Sequence, residues 1–121
     1  MNLEELCNLG KVNREVDVLE GVKVKFHTLT VGEEQKISEF LSTLPNDILA
    51  RAKPLQVETL AYAIESINGK TFSDVKELRT YLGTLQGLVL DSFYMSYISM
   101  EKESIESVEK LKKNSAGSKA D

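Results

Sequence analysis

The chain has no tryptophan, one histidine, one cysteine and two prolines among its 121 residues. A lone cysteine cannot close an internal disulfide, so a disulfide-stapled secreted module is excluded. No stretch approaches the ~20 consecutive apolar residues that a membrane helix needs. The opening residues, Met1-Asn2-Leu3-Glu4-Glu5-Leu6, are acidic where a signal peptide is basic and then apolar, so no export signal is expected. A basic excess is missing as well. With 15 Lys+Arg against 19 Asp+Glu the net charge is −4, the wrong sign for a protein that grips phosphates without regard to sequence. Neither a membrane nor a nucleic acid is therefore expected as a partner.

What is present suits one soluble domain in a reducing compartment. Hydrophobic residues make up 41% and charged residues 28%, near the ordinary values. A chain of this length should bury roughly two-thirds of its unfolded surface, enough for a core without staples.

Periodicity organises the chain. Leu3, Leu6 and Cys7 fall at helical spacing over residues 2–9, with Asn8 and Gly10 as the stop. Arg14 to Val18 and Val22 to His27 then alternate polar and apolar around Glu20-Gly21, a β-hairpin signal. Thr30 and Glu33 form a capping box ahead of Ile37, Phe40, Leu41 and Leu44, one apolar helix face that Pro45 ends. Residues 46–52 read as a short helix or turn. Pro54 fits the first turn of the next helix, where its missing N–H costs nothing. Val57, Leu60, Ala61, Ile64 and Ile67 form that helix's apolar stripe, with Asn68-Gly69 as its cap. Ser73 or Asp74 caps a helix carrying Val75, Leu78 and Leu82, which stops near Gly83. Residues 86–113 form the longest periodic segment, dense in large side chains at first and thinning to Ile105, Val108 and Leu111 among Glu and Lys.

The expected architecture is α+β and mostly α. A β-hairpin near residues 14–28 precedes a bundle of about four helices, the last one long. One domain spans residues 1–113, and a Ser/Gly/Ala/Lys-rich disordered tail spans 114–121.

Chemistry-bearing constellations are scarce. His27 sits on the polar face of a strand with no second ligand at metal spacing, and reads as a surface residue. Cys7 lies on an apolar helix face and reads as a small buried hydrophobe. Glu4-Glu5 and Glu33-Glu34 fall in first helical turns, where acids favour the helix dipole. The seven glycines are scattered and form no phosphate-cradling loop. No metal, no cofactor and no catalytic residue is assigned, and an enzyme reading has little support. The segment Phe93 to Met100 is apolar or aromatic on two faces. Leu90, Phe93 and Ile98 are assigned to the core. Either both faces are buried in a central helix or one meets a partner; on the second reading Tyr94, Tyr97 and Glu101 form the partner-binding surface, because a tyrosine hydroxyl tolerates water while its ring still buries area.

Four segments, in order, resemble the small tail-assembly proteins of tailed bacteriophages. They are the hairpin running into Phe26-His27-Thr28-Leu29-Thr30-Val31-Gly32-Glu33-Glu34; Ala63 to Phe72 around Asn68-Gly69; Leu82 to Val89 before a Tyr-containing helix; and the charged end at Lys112 to Ser115. The likeness covers roughly residues 12 to 115. That family often has Pro at Gln86 or Gly87 and Arg at His27. The resemblance implies a non-catalytic tail assembly chaperone, or a related baseplate or hub assembly component, whose partner is the tape-measure protein or another tail subunit. It places the protein in the host cytoplasm, or in the virion tail for a structural component. A small host-directed regulatory adaptor is the reading of another class. Homo-oligomerisation stays open.

Overall fold

The computed structural model describes the backbone of residues 1–120 and the side chains of residues 1–112. Its elements run α1 (Leu3–Asn8), β1 (Asn13–Leu19), β2 (Val22–His27), α2 (Val31–Leu41), α3 (Ile48–Ala63), β3 (Ile64–Ile67), β4 (Lys70–Thr71), α4 (Val75–Leu82) and α5 (Gly87–Ala120). The fold is α+β and mostly α, as the sequence pattern predicts. The disordered tail expected over residues 114–121 falls among residues whose side chains lie outside the described ones. No described helix is long and apolar enough to cross a membrane.

β1 and β2 pair antiparallel around Gly21, whose φ of +76° is the left-handed conformation a tight turn requires. Val24 and Phe26 point into the core, while Lys23 and Lys25 face out. The sheet then departs from expectation. The stripe through Ile64 and Ile67 does not stay helical. α3 stops at Ala63, and Ile64–Ile67 turns extended and pairs antiparallel with β2. Asn68-Gly69 is consequently not a helix cap. Both residues have positive φ, +50° and +78°, and they form the two-residue turn from β3 to β4. Asn68 also joins β2: its N–H donates to the Lys23 carbonyl at 2.7 Å, and its Oδ1 accepts from the Lys23 N–H at 2.8 Å. The resulting order is β1-β2-β3-β4. Two β-branched residues beside an open strand edge prefer the ladder, so tertiary pairing overrides the helical period.

A second departure concerns Pro54. It lies inside α3, which begins at Ile48 behind the N-cap Asp47. Ala50, four residues earlier, is exposed, so water can serve the carbonyl that Pro54 cannot. A third concerns α1, none of whose residues is buried; Cys7 is exposed rather than core. Fourth, α2 ends at Leu41, so Leu44 lies beyond it. Of its expected apolar face only Ile37 is buried.

The capping signals hold. Thr30 and Glu33 form the reciprocal capping box, and the Asp74 side chain accepts from the Glu77 N–H at 2.8 Å. α3, α4 and α5 cover one face of the sheet. Leu60, Ala63, Leu78, Leu82, Leu90 and Phe93 meet Val24, Phe26, Ile64 and Ile67 in one core.

Candidate functional site

α2 and α5 both pack on α3, and between them runs a groove of about 280 Å³. The capping box fixes where α2 starts, and with it the approach of Leu29 in the preceding connection. Ile37 and Leu41 from α2, Leu55 from α3, and Tyr94 and Ile98 from α5 supply the apolar walls. Glu34 stands at the rim and is exposed; Glu101 lines the groove from α5. Among the described residues neither carboxylate pairs with a cation.

The three residues that the sequence assigns to a partner surface all border this groove, but not alike. Tyr94 and Glu101 are half-buried wall residues. Tyr97 is 0% exposed, which corrects its assignment to the surface. It lies one turn from Phe93 on the buried face, and its ring packs on Phe26 at 6.0 Å between centroids with a 59° tilt. Tyr94 and Tyr97 are three residues apart, hence about 60° around the helix, and that angle suffices to separate core from groove. The Tyr97 hydroxyl donates to Glu101 Oε2 at 3.2 Å. Burial, reinforced by the neighbouring Glu101, pushes the Tyr97 phenol well above the ordinary tyrosine value. Burial also raises Tyr94, with Glu101 contributing. Phe93 and Leu90 are core as expected, whereas Ile98 is half-exposed and lines the groove.

Sequence reasoning missed the α2 side. Glu33-Glu34 reads as one acidic first turn, yet only Glu33 caps; Glu34, one position on, borders the groove. The signal available was the angle of about 100° between successive helical residues.

His27 has carboxylates at both ring nitrogens: Glu65 at 3.3 Å from Nδ1 and Glu33 at 3.5 Å from Nε2. Lys25 at 3.5 Å and the Asn13 amide at 3.1 Å complete a polar cluster around Glu65. Cys7 and His27 line one pocket with Lys11 and Glu33. Among the described residues no group of three or more His, Cys, Asp and Glu side chains is placed to hold a metal ion.

No protein-family model matches the chain, and no curated protein or solved structure matches it.

Proposed function

We propose that this chain is a non-catalytic binding protein that receives an amphipathic helix in the groove between α2 and α5. The observation that carries the reading is the groove itself, with apolar walls from three helices and Glu34 free of any described cation at its rim. Its volume of about 280 Å³ falls just below the ~300–1,000 Å³ range of small-molecule pockets. Such a space suits knob-like side chains projecting from a helix better than a cofactor. A carboxylate at the rim favours a segment carrying Lys or Arg beside its apolar stripe.

The partner follows from the sequence resemblance. It is a phage tail protein, first of all the tape-measure protein, bound during tail assembly by this chain acting as a chaperone. A long helical partner exposes apolar stripes until the tail tube surrounds it, and an acidic binder that covers them keeps it soluble.

The test is calorimetric titration of the full chain with overlapping tape-measure segments, alongside the composition of purified virions. A chaperone binds a helical segment, weakens on Tyr94→Ala and on Glu34→Lys, and is absent from virions. Binding unaffected by either substitution removes the groove from the account. Fixed stoichiometry in the virion replaces the chaperone with a structural tail component.

A further inference from the structure

We infer that the outer part of α5 pairs antiparallel with the same segment of a second copy of this chain. Tyr94, Ile98, Glu101, Ile105, Val108 and Lys112 follow one another in steps of four, three, four, three and four residues. That is heptad spacing, the pattern a coiled-coil seam uses, with Glu101 and Lys112 as its charged positions. Its inner part, Tyr94 to Glu101, faces the groove. Its outer part faces water: every residue from 105 to 112 is exposed, with Ile105 at 56%, Val108 at 38% and Leu111 at 44%.

A solvated helix end needs no seam, and a seam alone does not choose its occupant. The charges choose it. Place a two-fold axis between Glu106 and Ser107. Ile105 then meets Val108 of the second copy at the centre, twice. Glu101 meets Lys112 of the second copy at each end. The flanking positions agree, because Lys102 falls beside Glu109 of the second copy. A parallel pair would instead set Glu101 on Glu101 and Lys112 on Lys112, stacking like charges in the seam.

These groups are free to exchange partners. Glu109 and Lys112 approach each other at 3.6 Å on their own helix, but both are well exposed, where such a pair holds little. The Tyr97 hydroxyl occupies only Oε2 of Glu101, leaving Oε1 for a lysine. The same register explains an otherwise bare patch. Ser104 Oγ hydrogen-bonds the Gly10 carbonyl, and a Cβ at Gly10 would lie 3.0 Å from Val108, so the end of α1 sits against this stretch of α5. Leu6 and Leu9 beside it are exposed. Leu111 of the second copy comes across Ser104 and covers them. Glu34 lies on α2, outside the seam, whereas the second copy's α5, which runs on to Ala120, passes Ile98 and Tyr94 in this register, so pairing competes with a helix in the groove.

Sedimentation equilibrium of the full chain tests the pairing. The chain should show a monomer–dimer equilibrium that Lys112→Glu alone or Glu101→Lys alone weakens about tenfold or more, each change entering a symmetric dimer twice. The chain carrying both should dimerise again. Lys102→Glu and Glu109→Lys, both at exposed positions, give a second swap that does not touch the Tyr97 hydrogen bond. A chain that stays monomeric at roughly millimolar concentration overturns the inference. So does a dimer that neither swap moves, or a monomer that uses Ile105 and Val108 only to bind a tape-measure segment. Glu34→Lys should leave the dimer unchanged; failure of the groove reading shows in the titration and failure of the pairing in the centrifuge.

Discussion

Arg79 closes on Glu58 through two hydrogen bonds, Nε to Oε2 at 2.6 Å and Nη2 to Oε1 at 2.8 Å. Glu58 is 1% exposed, so this fork accounts for the charge of a carboxylate inside the protein. It joins α3 to α4, and the Phe40 ring of α2 lies 5.8 Å from the same guanidinium. Removing Arg79 strands a buried charge. Arg79→Met should cost about 3 kcal/mol, the low end for a broken buried pair because Arg79 itself is partly exposed. Arg79→Lys should recover little, since one ammonium cannot serve both oxygens. Glu58→Met combined with Arg79→Met should regain most of the loss. Urea midpoints at constant m-value read all three. Equal losses in the single and double variants would show that the fork does not hold the helices.

The turn at Asn68-Gly69 gives a second prediction. At φ +78° an alanine strains the backbone, while nothing within 4 Å obstructs its Cβ. The cost of Gly69→Ala is therefore conformational alone, about 1–2 kcal/mol. Asn68→Ala adds the loss of the bond from the Lys23 N–H, and hydrogen exchange at Lys23 should accelerate with it. Unchanged exchange there would show that Asn68 does not hold β3 to β2.

That turn also marks how far the sequence could be read. The β1–β2 hairpin, the Thr30–Glu33 box, the Asp74 cap and the long last helix were legible because their causes are local. β3 was not. Val57 to Ile67 keeps a helical period to its end, and what breaks it at Ile64 is the edge of β2, some forty residues earlier in the chain. Asn-Gly marks helix ends as well as hairpins, and only the neighbouring strand decides between them. The Glu58–Arg79 pair was invisible for the same reason, as its partners lie 21 residues apart on different helices. Of the α5 wall, the sequence singled out Tyr94 and Glu101 but assigned Ile98 to the core and the buried Tyr97 to the surface, because the pattern does not say which of two adjacent faces meets α3 and the sheet. The α2 wall was not legible, because Ile37 and Leu41 read as one apolar helix face and Glu34 as a first-turn acid favoured by the helix dipole.

Tyr94 and Tyr97 separate stability from binding. Tyr97 and Phe93 are both core, so Tyr97→Ala and Phe93→Ala should each destabilise the fold by about 3–5 kcal/mol. Tyr94→Ala leaves the core intact and should cost less than about 1.5 kcal/mol of stability while weakening the groove's partner by about 1–3 kcal/mol. Thermal unfolding beside the titration measures both. A Tyr97→Ala chain as stable as the parent would return Tyr97 to the surface.

Alkaline pH should unfold this protein through the same residue. The Tyr97 phenol is held protonated above its ordinary value, first by burial, then by the charge of Glu101 and the hydrogen bond to it. The unfolded chain releases that proton near the usual tyrosine value of about 10. The folded chain retains it to higher pH. Below about pH 10 both states carry the proton, and the contribution of Tyr97 is fully present. Above it the unfolded state alone gains by ionising, so stability falls as pH rises toward the folded value. Tyr94, raised by burial in the same direction, adds to the slope. Urea midpoints between pH 9 and 11 should therefore decline, and phenolate absorbance should appear together with loss of structure rather than before it. Tyr97→Phe keeps the ring against Phe26 and loses the hydroxyl with its hydrogen bonds to Glu101 and the Leu29 backbone. It should cost about 1 kcal/mol at neutral pH and flatten the alkaline decline. A parent midpoint that stays level across that window, or a Tyr97→Phe chain that declines just as steeply, would mean that the phenol ionises in place and that water reaches the floor of the groove.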